Sequence, residues 1–143
     1  MVKQVMIVNM GLDMEVGRIA AQVAHASIKV FLDKKETKHA LSYKSIIAGY
    51  YIPCTKPMVE WIEKSFTKVV VGVDNSDQLF ELANKAKEAG LPFSIMTDNG
   101  FPDYPGGVAT TCVAIGPADS NDLDPITGDL SPFLEEWYNG KKS

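Results

Sequence analysis

Cysteine and histidine are scarce: two of each occur in 143 residues. Cys54 and Cys112 lack C-x-x-C spacing, which excludes a disulfide framework and a thiolate zinc site and points to a reducing cytoplasm. Burial as a small hydrophobe is the expected state of Cys112, and Cys54 reads the same way. His25 and His39 have no cysteine or carboxylate set around them at ligand spacing, so neither a metal site nor a cofactor is expected. No apolar run approaches the roughly 18 residues of a membrane span. The start, "MVKQVMIVNM", is interrupted too early for a signal peptide. There is no G-x-S-x-G elbow. "GLDMEVGR" has its glycines wrongly spaced for a phosphate loop, and no Lys-Ser/Thr follows.

Positive charge is missing from one long stretch. No Lys or Arg occurs between Lys87 and Lys141. Residues 1–87 carry a balance of +3 and residues 88–143 a balance of −7, within a net charge of −4. A polyanion such as RNA is therefore expected to approach the first half. The six acids of 119–136 can equally be a solvated face.

What remains is an ordinary globular composition, 45% hydrophobic and 22% charged, of a length that fits one domain over 1–143. "KQVMIVNM" (3–10), "KVVVGV" (68–73), "FSIMTD" (93–98) and "TTCVAIG" (110–116) read as strands, the first two buried on both faces. A helix is expected from about Gly17 to Asp33. A second begins after Asn75 or Ser76 and ends at Gly90, with Leu79, Leu82, Ala83 and Ala86 at helical spacing. Residues 57–66 suit a short amphipathic helix, and "NGFPDYPGGVA" is a loop. Strands separated by helices imply an α/β fold with a largely parallel sheet covered on both faces. Residues 34–56 are the least legible.

The first helix, "VGRIAAQVAHAS", combines two patterns. At 100° per residue, Ile19, Val23, Ala26 and Val30 form one stripe, the core face. Arg18, Gln22 and His25 form a second line about 60° wide beside it. Groups at the ends of strands in open α/β sheets commonly face a ligand crevice. Taken singly, His25 and Gln22 also fit buried polar residues satisfied by backbone, and Arg18 a solvated end residue.

"GRIAAQVAHAS", "KVVVGVDNSDQLFELANKAKEAGLPFSIMTDNG" and "TTCVAIGPA" together resemble the type 2 peptidyl-tRNA hydrolases, over about 3–33 and 67–130. "DPITGDL" resembles that family's end segment. The resemblance implies a three-layer α/β/α sandwich on a mixed, mostly parallel four-stranded sheet. It also implies metal-independent hydrolysis of the ester joining a peptide to the 3′ end of tRNA, and a fold that is often a homodimer. The family's lysine falls on Arg18, its Gln and His on Gln22 and His25, its D-A-G aspartate on Asp98 and its strand threonine on Thr111. On this reading Arg18, Asp98 and Thr111 are catalytic. Asp98 positions or activates water, Thr111 holds that water or the carboxylate, and Arg18 meets the oxyanion or a terminal phosphate. Gln22, His25, Asn99 and Gly100 bind substrate or support the site.

The chain departs from the family at Asp13, Glu15 and Val16, where lysines and a glycine are usual. It departs again at Phe101 and Pro102, where a threonine is usual, and about 35–56 is an insertion. Lost positive charge favours an alternative, a non-catalytic member that binds RNA, a nucleotide or a protein. A further alternative is an interaction module built on the insertion, with Tyr43, Tyr50 and Tyr51 as contacts.

Overall fold

The computed structural model describes residues 1–42 and 45–132, with 37–42 and 45–48 described by backbone alone. Strand β1 (Val2–Asn9) is followed by a 3-10 turn (Met10–Leu12) and helix α1 (Val16–Leu32). The segment expected to be an insertion holds β2 (Glu36–Ser42) and β3 (Ser45–Tyr51), which pair as their own two-stranded sheet. Tyr50 and Tyr51 are exposed at its base, and Tyr43 lies outside the described residues. Helix α2 (Lys56–Glu60) continues as a π-helical turn over Trp61–Ser65. Then come β4 (Thr67–Val73), α3 (Ser76–Glu88), β5 (Phe93–Asn99), β6 (Val108–Asp119) and α4 (Ser120–Thr127).

The main sheet has the order β4-β1-β6-β5. The α1 crossover delivers β4 parallel to β1, with Lys3 opposite Thr67 and Asn9 opposite Val73. The α3 crossover delivers β5 in the same direction, at the far edge. A loop with one short 3-10 turn (Pro105–Gly107), and no crossover helix, joins β5 to β6, so β6 runs antiparallel to both its neighbours. Three strands of four thus share a direction, but only one bonded pair is parallel. The crossover argument holds for strand direction and fails for adjacency.

The alternation of β1 divides the core in two. Met6 and Val8 face Ile19, Ala26, Val30, Met58 and Trp61 from α1 and the α2 turn. Val5 and Ile7 face Leu79, Leu82, Ala83 and Ala86 of α3 and Leu123 of α4. The result is the expected three-layer sandwich. β4 departs from the sequence reading: it is an edge strand, and only Val71, Gly72 and Val73 are buried. The unpaired outer edge leaves residues 67–70 partly wet, while at the other end Gly72 N donates to the Ser131 carbonyl at 3.0 Å and Val71 bridges Pro132.

Helix α3 forms where expected, its N-terminus capped by Asn75 Oδ1 accepting from Gln78 N at 3.0 Å. On α1 the core stripe holds, with Val23 half-buried. A polar latch reinforces it. The side chain of Gln4, fully buried, donates from Nε2 to the carbonyls of Ser27 (3.1 Å) and Gly116 (3.2 Å) and accepts from Ser27 Oγ. Ser94 Oγ donates to the Ala26 carbonyl at 2.7 Å. These bonds fix the position of α1 against β1 and β5. Among the described residues, no helix is long and apolar enough to cross a membrane.

Candidate active site

The crevice lies where the N-terminal turns of α1 meet the C-terminal end of β5. Asp98 is the penultimate residue of β5, and one of its carboxylate oxygens collects three donors. Oδ2 accepts from Arg18 Nε at 3.2 Å, Arg18 Nη2 at 2.8 Å and Gln22 Nε2 at 3.1 Å. Oδ1 has no hydrogen-bond partner among the described residues. Both ion-pair partners are about one-third exposed, Arg18 34% and Asp98 33%, so the pair sits at a solvent boundary.

Gln22 carries the connection inward. It is 5% exposed, and its Oε1 accepts from Thr111 Oγ1 at 2.7 Å. Thr111 is fully buried, and its hydroxyl also lies 3.2 Å from the Met96 carbonyl. The sheet makes this possible through a bulge. Met96 pairs with Cys112 and Thr97 with Thr110, so Thr111 is the extra residue on β6. A bulge re-aims one side chain without moving the strand, and such irregularities cluster at functional sites. The expected contact between Thr111 and the Asp98 carboxylate is absent; Thr111 reaches Asp98 through Gln22. The hydroxyl has one proton and Gln22 has a free acceptor, so the relay fixes the amide orientation that aims Nε2 at Asp98.

Asn99 and Gly100 take part through the backbone. The Asn99 carbonyl accepts from Arg18 Nη2 at 3.0 Å. Gly100 has φ +94°, a region that favours glycine, and a Cβ there would sit 3.4 Å from Arg18 Nη2. His25 does not join the group. Its side chain is exposed and makes no hydrogen bond among the described residues, one turn further along α1 than Gln22.

Phe101 is the residue that the sequence pattern undervalues. Where the family threonine is expected, an 8% exposed ring lies under the Arg18 guanidinium, with Cζ 4.1 Å from its centroid. At the mouth, Asp13, Glu15 and Val16 are exposed, so the charge lost there is lost from the surface beside Arg18. A second hollow of about 260 Å³ lies nearby, lined by Asn9, Asp74, Asn75, Ser76 and Tyr104 among others.

Neither cysteine belongs to the site. Cys112 is fully buried, and desolvation pushes its thiol up to about 12. Cys54 is exposed, against expectation, because it sits in the connection between the hairpin and α2. Among the described residues, no three His, Cys, Asp or Glu side chains are grouped to hold a metal ion.

The family model described as Peptidyl-tRNA hydrolase PTH2 matches residues 2–133. The chain belongs to the PTH2 family. A peptidyl-tRNA hydrolase of Saccharolobus solfataricus is 36% identical over 130 residues, covering 91% of this chain and 98% of the relative. One from Methanopyrus kandleri is 36% identical over 134 residues, covering 94% and 99%. Both matches cover nearly the whole of each relative, so the likeness is to the whole fold and not to one motif.

Proposed function

We propose that this PTH2 member hydrolyses the ester between a peptide and the 3′ end of tRNA, with Asp98 as the group that orients and deprotonates water. The observation that carries the assignment is the asymmetry of the Asp98 carboxylate. Three donors converge on Oδ2, while Oδ1 has no hydrogen-bond partner among the described residues. A carboxylate held by one oxygen has a fixed direction for the other, which is what a water-orienting group requires.

The water oxygen attacks the ester carbonyl carbon as its proton passes to Oδ1. The carbonyl π electrons move to the oxygen, which becomes the oxyanion. Collapse breaks the bond to the ribose oxygen, and the proton on Asp98 moves to that leaving oxygen. The products are a free peptide acid and a tRNA with its hydroxyl restored. Arg18 retains Nη1, which has no hydrogen-bond partner among the described residues, and this donor serves the oxyanion. Gln22 and Thr111 hold the carboxylate in place and do not touch the reacting atoms. Asn99 and Gly100 shape the wall that holds Arg18. His25, exposed on the next turn, is placed to meet substrate at the rim. The tRNA approaches the more basic first half of the chain, in the cytoplasm, and the homodimer implied by the family resemblance is checked by sedimentation.

The direct test is release of peptide from a peptidyl-tRNA by the purified chain, without added metal. If Asp98→Ala and Arg18→Ala both retain full turnover, these roles are wrong.

A further inference from the structure

We propose that Phe101 is the positioning residue for Arg18: its ring holds the guanidinium in the one orientation that grips Asp98 and leaves Nη1 for the substrate. The inference rests on the hydrolase reading above and adds a residue to its machinery.

A guanidinium has five N–H groups in its plane and two apolar faces. In the plane, Arg18 gives Nε and Nη2 to Asp98 Oδ2 at 3.2 and 2.8 Å, and Nη2 also to the Asn99 carbonyl at 3.0 Å. Those acceptors fix rotation within the plane but leave the side chain free to tilt out of it. The Phe101 ring, 4.1 Å from Cζ, blocks that tilt on one face.

The ring is itself held firmly. Phe101 N donates to the Gly107 carbonyl at 3.1 Å, and the Phe101 carbonyl accepts from Tyr104 N at 2.9 Å. Tyr104 meets the ring edge-on at 6.0 Å. Gly100, at φ +94°, supplies the backbone conformation of the turn that leads into Phe101.

This geometry accounts for two departures from the family at once. A lysine ammonium is a point charge with neither a flat face nor a fork, so a ring would attract it without fixing its orientation. Arginine at 18 and phenylalanine at 101 therefore act as one unit. Arg18 is 34% exposed, so without the ring its long side chain is free to sample other rotamers in water.

The test uses the full chain with peptidyl-tRNA as substrate. Phe101→Leu keeps apolar bulk and removes the ring; it is expected to lower kcat about three- to thirtyfold, with KM changed far less. Phe101→Tyr keeps the ring and is expected to recover most of that loss. Arg18→Lys combined with Phe101→Leu is expected to be little worse than Arg18→Lys alone. By NMR, the Arg18 Nε–H resonance is expected to be displaced by the ring in the parent and in Phe101→Tyr, and to move toward the free-arginine position in Phe101→Leu. Parent-level kcat in Phe101→Leu, losses that multiply in the double variant, or an unmoved Arg18 resonance would each overturn the proposal. If the parent chain does not cleave peptidyl-tRNA, the functional reading falls, and the resonance alone still decides whether Phe101 positions Arg18.

Discussion

At the scale of single residues, the site consists of a few side chains whose bonds run in one line, Thr111 to Gln22 to Asp98 to Arg18. Each link makes a distinct prediction. Asp98→Asn keeps the shape and removes the base; turnover should fall about a hundred- to ten-thousandfold, measured by peptide release. Thr111→Val also keeps the shape, but it leaves the buried Gln22 Oε1 without its donor. It should cost about 1–3 kcal/mol in urea unfolding and lower kcat as Gln22 loses its fixed orientation. The thiols differ in the same local way. Native protein should give one reactive thiol toward a disulfide reagent, Cys54, and two after denaturation. The Cys112 thiol titrates near 9 when unfolded and near 12 when folded, so the folded state disfavours its ionised form. Its contribution to stability is complete below pH 9 and is lost as pH rises from about 9 toward about 12.

Elements matter here through how they are pinned, because a shift of α1 moves Arg18 and Gln22 together. The latch between Gln4 and Ser27 holds the middle of α1 two turns from the site. Ser27→Ala leaves the Gln4 Oε1 buried without its donor and should cost about 1–3 kcal/mol in urea unfolding. The four strands of the main sheet and helices α1 and α3 were readable from β-branched runs, the Asn75 cap and helical spacing, whereas helix α4 (Ser120–Thr127) was not. The bulge at Thr111 was not, because it arises from β5 and β6 pairing with an extra residue on one side. The hairpin at 36–51 was also hidden: its register is set by pairing between two strands with little internal signal.

For the whole molecule the governing quantity is charge. An acidic chain that binds tRNA must do so through local positive potential, and Asp13 and Glu15, both exposed, oppose it beside Arg18. Uncharged tRNA should bind with an affinity that falls steeply as salt rises. Glu15 makes no side-chain cap to α1, so Glu15→Lys leaves the helix start intact. It should raise affinity and steepen the logarithmic salt dependence by about 0.7–0.9. An unchanged slope would show that tRNA does not pass this edge of the crevice.

The sequence by itself determined the layers, helices α1 and α3, and the grouping of Arg18, Gln22, Asp98 and Thr111 as candidates for one site. Those features are encoded locally, in apolar spacing, in caps, and in short motifs that survive in the chain. The tertiary structure alone decided how those residues meet. It placed β6 antiparallel between β1 and β5, turned Thr111 inward through a bulge, and sent its hydroxyl to Gln22 instead of Asp98. It left His25 in solvent, although the helical wheel puts it on the same line. It also made Phe101, a departure from the family pattern, the surface on which Arg18 rests. A contact between positions 83 residues apart depends on how a loop folds back over a helix, and no periodicity along the chain records that.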